Sequence, residues 1–224
     1  MTWDAILIGF GISLLASIIG VGLVLWIDRQ RRPRLRMTVG IPGTIDKFDP
    51  LHRPVTTFLH VRIDNERTKF PVSLFYDADA AHSCAAWLTF YHLDGHKVFD
   101  REMAGRWTET PEPSMRQIRQ DNKTVVMLAG VKNTVDIPSG EYANVDVAAR
   151  MIPDRECYGW NNESYLHNWR HPDWKLKRGR YLVKVRVRSA GREFEDLFLL
   201  VNDVPHKDFR LETASKEYKA KVLA

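Results

Sequence analysis

The chain has 224 residues, 44% hydrophobic and 27% charged, with a formal net charge of +5. Beyond an apolar N-terminal run, ~195 residues remain, ample for one hydrophobic core and too few to argue for two domains. The modest positive excess does not by itself imply nucleic acid, which is not expected as a partner, and the two cysteines, Cys84 and Cys157, allow at most one bridge.

After a short flank (1–4), residues 5–27 carry neither charge nor proline. About 20 helical residues cross a bilayer core of about 30 Å, so the run from Ala5 to Ile27 is expected to be a transmembrane helix. A buried core helix is the weaker alternative, because soluble cores rarely supply so long an uncharged run at the extreme N-terminus. A cleaved signal peptide fits less well, because no Lys or Arg precedes the run and no small-residue cleavage site follows it. The next segment (28–36) is basic, with Arg29, Arg31, Arg32, Arg34 and Arg36, whereas the N-terminal flank has no cation. Positive flanks resist translocation. The expected location is therefore the cell membrane, single-pass, with the N-terminus outside and the C-terminal domain cytoplasmic. Such arginines also suit anionic headgroups. Gly9, Ser13, Ala16 and Gly20 share a helix face, a candidate seam for packing with another helix or a second copy of the chain. The alternative is that small residues are simply common in membrane helices.

Residues 37–203 alternate with period two, which predicts strands. Leu59, Val61 and Ile63 alternate with His60 and Arg62. Ala86, Leu88 and Phe90 alternate with Trp87, Thr89 and Tyr91, and Asp94-Gly95 marks a turn into Lys97-Val98-Phe99. Thr124–Leu128 is a short apolar strand. After the turn Pro138-Ser139-Gly140, Ala143, Val145, Val147 and Ala149 alternate with Asn144, Asp146 and Ala148. Tyr181, Val183, Val185 and Val187 alternate with Leu182, Lys184, Arg186 and Arg188, and Ala190-Gly191 turns the chain back into Phe194–Val201. Many short strands without long helical patterns predict an all-β fold, an antiparallel β-sandwich. The segment from Trp174 through Gly179 and Tyr181 into Val183-Lys184-Val185-Arg186-Val187 resembles the last hairpin of immunoglobulin-like or fibronectin-type sandwiches. In those modules a turn glycine precedes an aromatic and an alternating valine strand. The resemblance spans roughly 30 residues and implies an immunoglobulin-like architecture only. The buried Cys-Trp-Cys framework of immunoglobulin domains is not matched, since Cys84 and Trp87 lie only three apart.

Two stretches stand outside the strand rhythm, 103–122 and 152–173. A tail (204–224) contains helix-forming residues from Glu212 to Leu223, expected as a marginal helix or flexible end.

The second stretch carries the candidate partner- or ligand-binding residues Tyr158, Trp160, Tyr165, Trp169, Arg170 and Trp174. Trp, Tyr and Arg dominate binding hot spots. The alternative is that the loop folds back and its aromatics cap one end of the sandwich. His167 and His171, four apart, would suit a metal only with help from Cys157 or Asp173, and Pro172 ends any helix there. Lys184, Arg186 and Arg188 share a strand face and join the five juxtamembrane arginines as candidates for an anionic surface; a solvated outer face is the bland alternative. In a cytoplasmic domain both cysteines stay reduced; with the topology reversed, a Cys84–Cys157 bridge becomes plausible and the acceptor triplets at Asn122 and Asn162 matter. No phosphate loop, nucleophile elbow or zinc-protease motif occurs, and neither catalysis, cofactor nor metal is expected. The expected function is a membrane-anchored protein-interaction or scaffolding module with an unidentified protein partner. The alternative is a ligand-binding sensor or accessory domain for a small molecule or glycan.

Overall fold

The computed structural model describes residues 3–46, 54–68, 70, 72–74, 76–120 and 123–223, with side chains described from Leu14 onward save at a few positions. Helix α1 (Trp3–Arg31) runs unbroken through the apolar segment. Its described side chains include Asp28, Arg29 and Arg31, and among the described residues no helix is long and apolar enough to cross a membrane. Leu15, Ile18, Val24 and Leu25 are more than half exposed on it. Gly9 and Ser13 lie outside the described side chains; Ala16 and Gly20 are exposed, with open space around Gly20.

Strands β1 (Leu35–Val39), β2 (Gly43–Ile45) and β3 (Thr56–Asn65) open the domain. Its middle holds β4 (Ala81–Tyr91), β5 (Met103–Ala104), β6 (Arg106–Trp107), β7 (Ser114–Gln120), β8 (Lys123–Ala129) and β9 (Thr134–Ile137). Then come β10 (Tyr142–Met151), β11 (Cys157–Gly159), β12 (Lys175–Leu176), β13 (Arg180–Ser189), β14 (Arg192–Val201), β15 (Arg210–Thr213) and a short helix α2 (Lys216–Val222). One sheet runs β1-β3-β10-β11-β12, with β2 against β3 and β6 against β10. The other runs β15-β14-β13-β4-β5, with β9 against β4. The pairings are antiparallel, so the fold is all-β and sandwich-like.

The alternating strands pack as their pattern dictates. Leu59, Val61 and Ile63 of β3, Val145 of β10, Leu88 and Phe90 of β4 and Val183, Val185 and Val187 of β13 meet in one core, each at most 1% exposed. Burying such a side chain is worth about 1.5–3 kcal/mol, and a one-residue slip would turn the whole set to solvent, so the register is pinned. At the start of β13 the Tyr181 hydroxyl donates to the Lys177 carbonyl at 3.0 Å. The β13–β14 turn places Ala190 and Gly191 at φ +47° and +76°, the left-handed pair that a two-residue hairpin needs.

Three segments differ from the sequence expectation. The stretch 103–122 contains β5, β6 and β7: two-residue strands are too short to show a period, and β7 pairs only with β8 in a separate ribbon. The stretch 152–173 contains β11 and a 3-10 turn at Asn162–His167, with another following at Pro172–Trp174. The tail is integral rather than loose. Strand β15 extends the second sheet, and α2 starts at Lys216, capped by the Ser215 hydroxyl accepting from the Tyr218 N–H. Tyr218 and Val222 of α2 then pack with Tyr91 on Leu182, Leu197 and Ala214, an apolar cluster on the Leu182 face of β13.

The end of α1 is tied to the sandwich. Arg31 pairs with Asp79 at 2.9 Å, and Asp79 N–H donates to the Arg31 carbonyl at 2.6 Å. Glu66 N–H donates to the Arg34 carbonyl at 3.0 Å, and β1 begins at Leu35, inside the basic segment 28–36.

Candidate functional site

Strands β3, β10 and β6 lie side by side, and their register sets His60 opposite Asp146 and Asp146 opposite Arg106. These side chains point away from the main core, yet they are buried, at 9%, 3% and 6% exposure. Asp146 is saturated with donors. Arg106 Nη1 donates to its Oδ2 at 2.7 Å, the Thr108 hydroxyl to its Oδ1 at 2.7 Å, and His60 Nδ1 lies 2.8 Å from Oδ1. A carboxylate paired with a guanidinium has no proton to offer, so the hydrogen on the last contact belongs to His60 Nδ1. In the neutral ring that leaves Nε2 as an acceptor. Arg106 Nη2 also donates to the Thr110 carbonyl at 2.9 Å, while its buried Nε has no partner among the described residues. Removing one member of such a buried set costs about 3–5 kcal/mol, because it strands the others.

A β-bulge follows at once. Asp146 faces His60 and Ala148 faces Leu59, so Val147 is the extra residue. The bulge reverses the phase of β10: Val147 and Ala148 join the main core, and Ala149 and Met151 join a second apolar cluster on the opposite face. Bulges re-aim side chains beside functional sites.

The second cluster is where the aromatic stretch goes. Tyr158, Trp160 and Trp169 are buried in it with Phe58, Ile45 and Tyr165. The stretch folds back because its turn is capped at both ends. Asn161 and Ser164 form a reciprocal capping box, and Asn168 closes the turn in the left-handed region. Trp169 follows at φ +71°, a strained conformation for a bulky residue, of order 1–3 kcal/mol. Its ring packs edge-to-face on Trp160 at 5.4 Å and on Phe58 at 5.9 Å, which holds it there. Burial pushes the Tyr165 hydroxyl up to about 12, and its hydrogen bond to Glu112 adds to the shift.

Between the buried set and the aromatic cluster lies a cleft of about 220 Å³. Its polar groups are His60, Asp146, Thr108, Thr44 and Glu112; its apolar wall is Phe58, Trp160, Tyr165 and Trp169. Gly43 of β2 also lines the cleft, and a Cβ there would sit 3.0 Å from His60 Nε2. Glycine at that position keeps the imidazole face open. The cleft therefore offers an apolar wall beside the His60 imidazole and the Glu112 carboxylate, the latter already hydrogen-bonded to Tyr165. That combination suits a compact molecule with an apolar body and one or two donors. The Thr108 hydroxyl is engaged with Asp146, so it is not aligned as a nucleophile on His60 Nε2.

The structure thus brings together Trp160, Tyr165 and Trp169, with Tyr158 buried behind them. Arg170 lies outside the cleft, on Asp154 at 2.7 Å. Trp174 is buried in the main core, its indole N–H on Glu163 at 2.9 Å. These aromatics face inward rather than forming an outer patch, because the capped turns close the loop onto the sheet. The cationic face of β13 is matched across strands: Lys184 pairs with Glu195 at 3.4 Å, and Arg186 with Glu102 at 2.5 Å and Glu193 at 3.3 Å, while Arg188 is exposed. In the basic segment 28–36 Arg32 meets Asp28 at 2.9 Å and Arg34 meets Gln30 at 2.7 Å, while Arg36 meets Glu66 at 3.5 Å. Cys84 and Cys157 are free and buried, and burial pushes both thiols up, out of the reactive range. Asn162 is buried, its amide on Asn133 at 3.1 Å; Asn122 lies outside the described residues. Among the described residues no group of three or more potential metal ligands comes together, His167 and His171 included.

His60, Arg106, Asp146, Glu112 and Phe58 are site residues that the sequence did not mark. His60 and Asp146 had appeared as the polar, outward members of alternating strands. Their one signal was a histidine and an aspartate at mid-strand, where solvent-facing positions usually carry Thr, Lys or Arg. No protein-family model matches the chain, and no curated protein is significantly similar to it.

Proposed function

We propose that this chain is a single-pass, membrane-anchored β-sandwich that binds a small ligand in the cleft between His60, Glu112, Trp160 and Tyr165. The observation that carries the reading is the open cleft itself, where a buried, ordered polar set lies beside an aromatic wall. Burying Arg106, Asp146 and His60 together carries a desolvation cost that a purely apolar filling would avoid. A strained Trp169 and a β-bulge beside the same cleft are devices that position side chains. The reading is of a binder and not of a catalyst.

The anchor is supported by the uncharged run 5–27, by the continuous helix over it, and by the exposed aliphatic side chains from Leu14 to Leu25. The arginines beyond it favour a cytoplasmic domain. The immunoglobulin-like reading of the domain is supported by the Tyr181 hydroxyl bonded to Lys177, the tyrosine-corner arrangement, with Gly179 beside the ring.

Thermal unfolding of the full chain against a library of small amines, alcohols and heterocycles tests the proposal. A binder raises the midpoint, and Tyr165→Phe or Glu112→Gln, each measured against its own ligand-free midpoint, weakens its affinity about tenfold or more. A library without a single hit, or hits indifferent to both variants, rejects the cleft.

A second reading, a protein-interaction module, is favoured by the β7–β8 ribbon. It exposes Met115 and Val126 on one face and Ile118, Val125 and Met127 on the other, each at least 43%, and exposed apolar side chains of this kind suit a partner surface.

A further inference from the structure

The turn between β13 and β14 comes back to the end of α1. A groove of about 530 Å³ opens there, lined by Leu25, Arg29, Gln30, Arg32, Arg34 and Arg192. Arg192 is the residue just after the Ala190-Gly191 turn, so the hairpin delivers a fourth arginine to three contributed by the helix end and the segment after it. Two of the four are held in place from within: Arg32 by Asp28 at 2.9 Å and Arg34 by Gln30 at 2.7 Å. Asp28 offsets one cation and Gln30 offsets none, so the groove is strongly positive.

We propose that this groove binds the phosphate-bearing headgroup of an anionic phospholipid, a reading that rests on α1 being the membrane anchor. Depth supports it. Arg29 follows Ile27 by two residues, about 3 Å along the helix, and Arg32 is the first residue after the helix ends at Arg31. The headgroup layer extends about 5–7 Å beyond each side of the hydrocarbon core. The chemistry agrees. Leu25, 64% exposed, forms the bilayer-side rim of the groove, so an aliphatic surface adjoins clustered guanidinium groups. A free anion needs no such rim; a lipid presents a phosphate joined to acyl chains. Arginine forks match phosphate oxygens two at a time. Arg192 is the informative member, because it lies far from the helix in sequence and contributes nothing to a transmembrane signal. Its presence turns a basic stretch of helix into a two-sided site.

The test uses the full chain in neutral detergent. Thermal unfolding is followed during titration with dioctanoyl phosphatidylglycerol, dioctanoyl phosphatidylcholine or inorganic phosphate. The anionic lipid raises the midpoint saturably and the zwitterionic lipid does not. Arg29→Ala and Arg192→Ala each raise the half-saturating lipid concentration roughly fivefold, with the lipid-free midpoint unchanged. Equal responses to the two lipids, or variants that titrate like the parent, overturn the proposal. Stabilisation by inorganic phosphate at the same concentrations also overturns it, by showing a site for a soluble anion. Alkaline carbonate extraction of membranes carrying the chain separates the two levels of the reading. Retention in the membrane with no lipid selectivity refutes the headgroup site alone, whereas release into the supernatant refutes the anchor and the headgroup site with it.

Discussion

The Nδ1 of His171 accepts the backbone N–H of Asp173 at 3.2 Å and so caps the turn Pro172–Trp174. A nitrogen that accepts cannot carry a proton, so the cap exists only with the ring neutral. Burial holds the His171 imidazole below its ordinary value, and the adjacent His167, whose ring centroid is 4.2 Å away, adds to the shift. The folded form therefore binds the proton less readily than the unfolded form. Its contribution is fully present above the unfolded value, about 6.5, and is lost as pH falls through the lower folded value. Thermal unfolding between pH 7.5 and 5 should show the parent losing stability more steeply than His171→Asn, whose amide oxygen keeps the cap without titrating. Parallel pH profiles for the two proteins would reject the cap. The spacing of His167 and His171 would have suited a metal only with Cys157 or Asp173; Cys157 is buried in the main core, and the second histidine serves the backbone.

At the scale of elements, the β7–β8 ribbon behaves differently from every strand in the sandwich. Its register puts Met115 opposite Leu128 and Gln117 opposite Val126 on one face, with Arg116 opposite Met127 and Ile118 opposite Val125 on the other. Both faces mix apolar and polar residues, so neither shows the clean alternation that marks a half-buried strand. That is why only the Thr124–Leu128 half was legible. Strands with one face in the main core, β3, β4, β10 and β13, were legible because that core imposes period two on them. The bulge after Asp146 was not, since one extra residue leaves the local pattern intact and only shifts its phase. An isolated two-stranded ribbon is marginal in water. Ile118→Ser with Val126→Ser, at 46% and 44% exposure, should change global stability by no more than about 0.5 kcal/mol in urea unfolding. A cost of several kcal/mol would mean that the ribbon is part of the core, and would remove the reason to regard it as a free surface.

For the molecule as a whole, the sequence made the layer structure and the apolar N-terminal segment legible, while the cleft stayed hidden. His60, Arg106 and Asp146 are separated by 40 or more residues and meet only through strand register. The aromatic residues were conspicuous, but their direction depends on the caps at Asn161 and Asn168, whose effect is tertiary. The same geometry changes how orientation must be measured. Cys84 and Cys157 are buried, so an impermeant maleimide applied to intact cells is blind to both, and their silence carries no topological information. Introduced cysteines are required. Lys207 is exposed in the turn before β15, and Thr2 precedes the apolar run. With the arginine flank retained inside, Thr2→Cys should label on intact cells, and Lys207→Cys only after permeabilisation. The reverse pattern would put the domain outside, where the cleft would meet extracellular ligands and the arginine groove the outer leaflet. Labelling of both positions on intact cells would mean that the chain does not cross the bilayer, because a single span must separate its two ends.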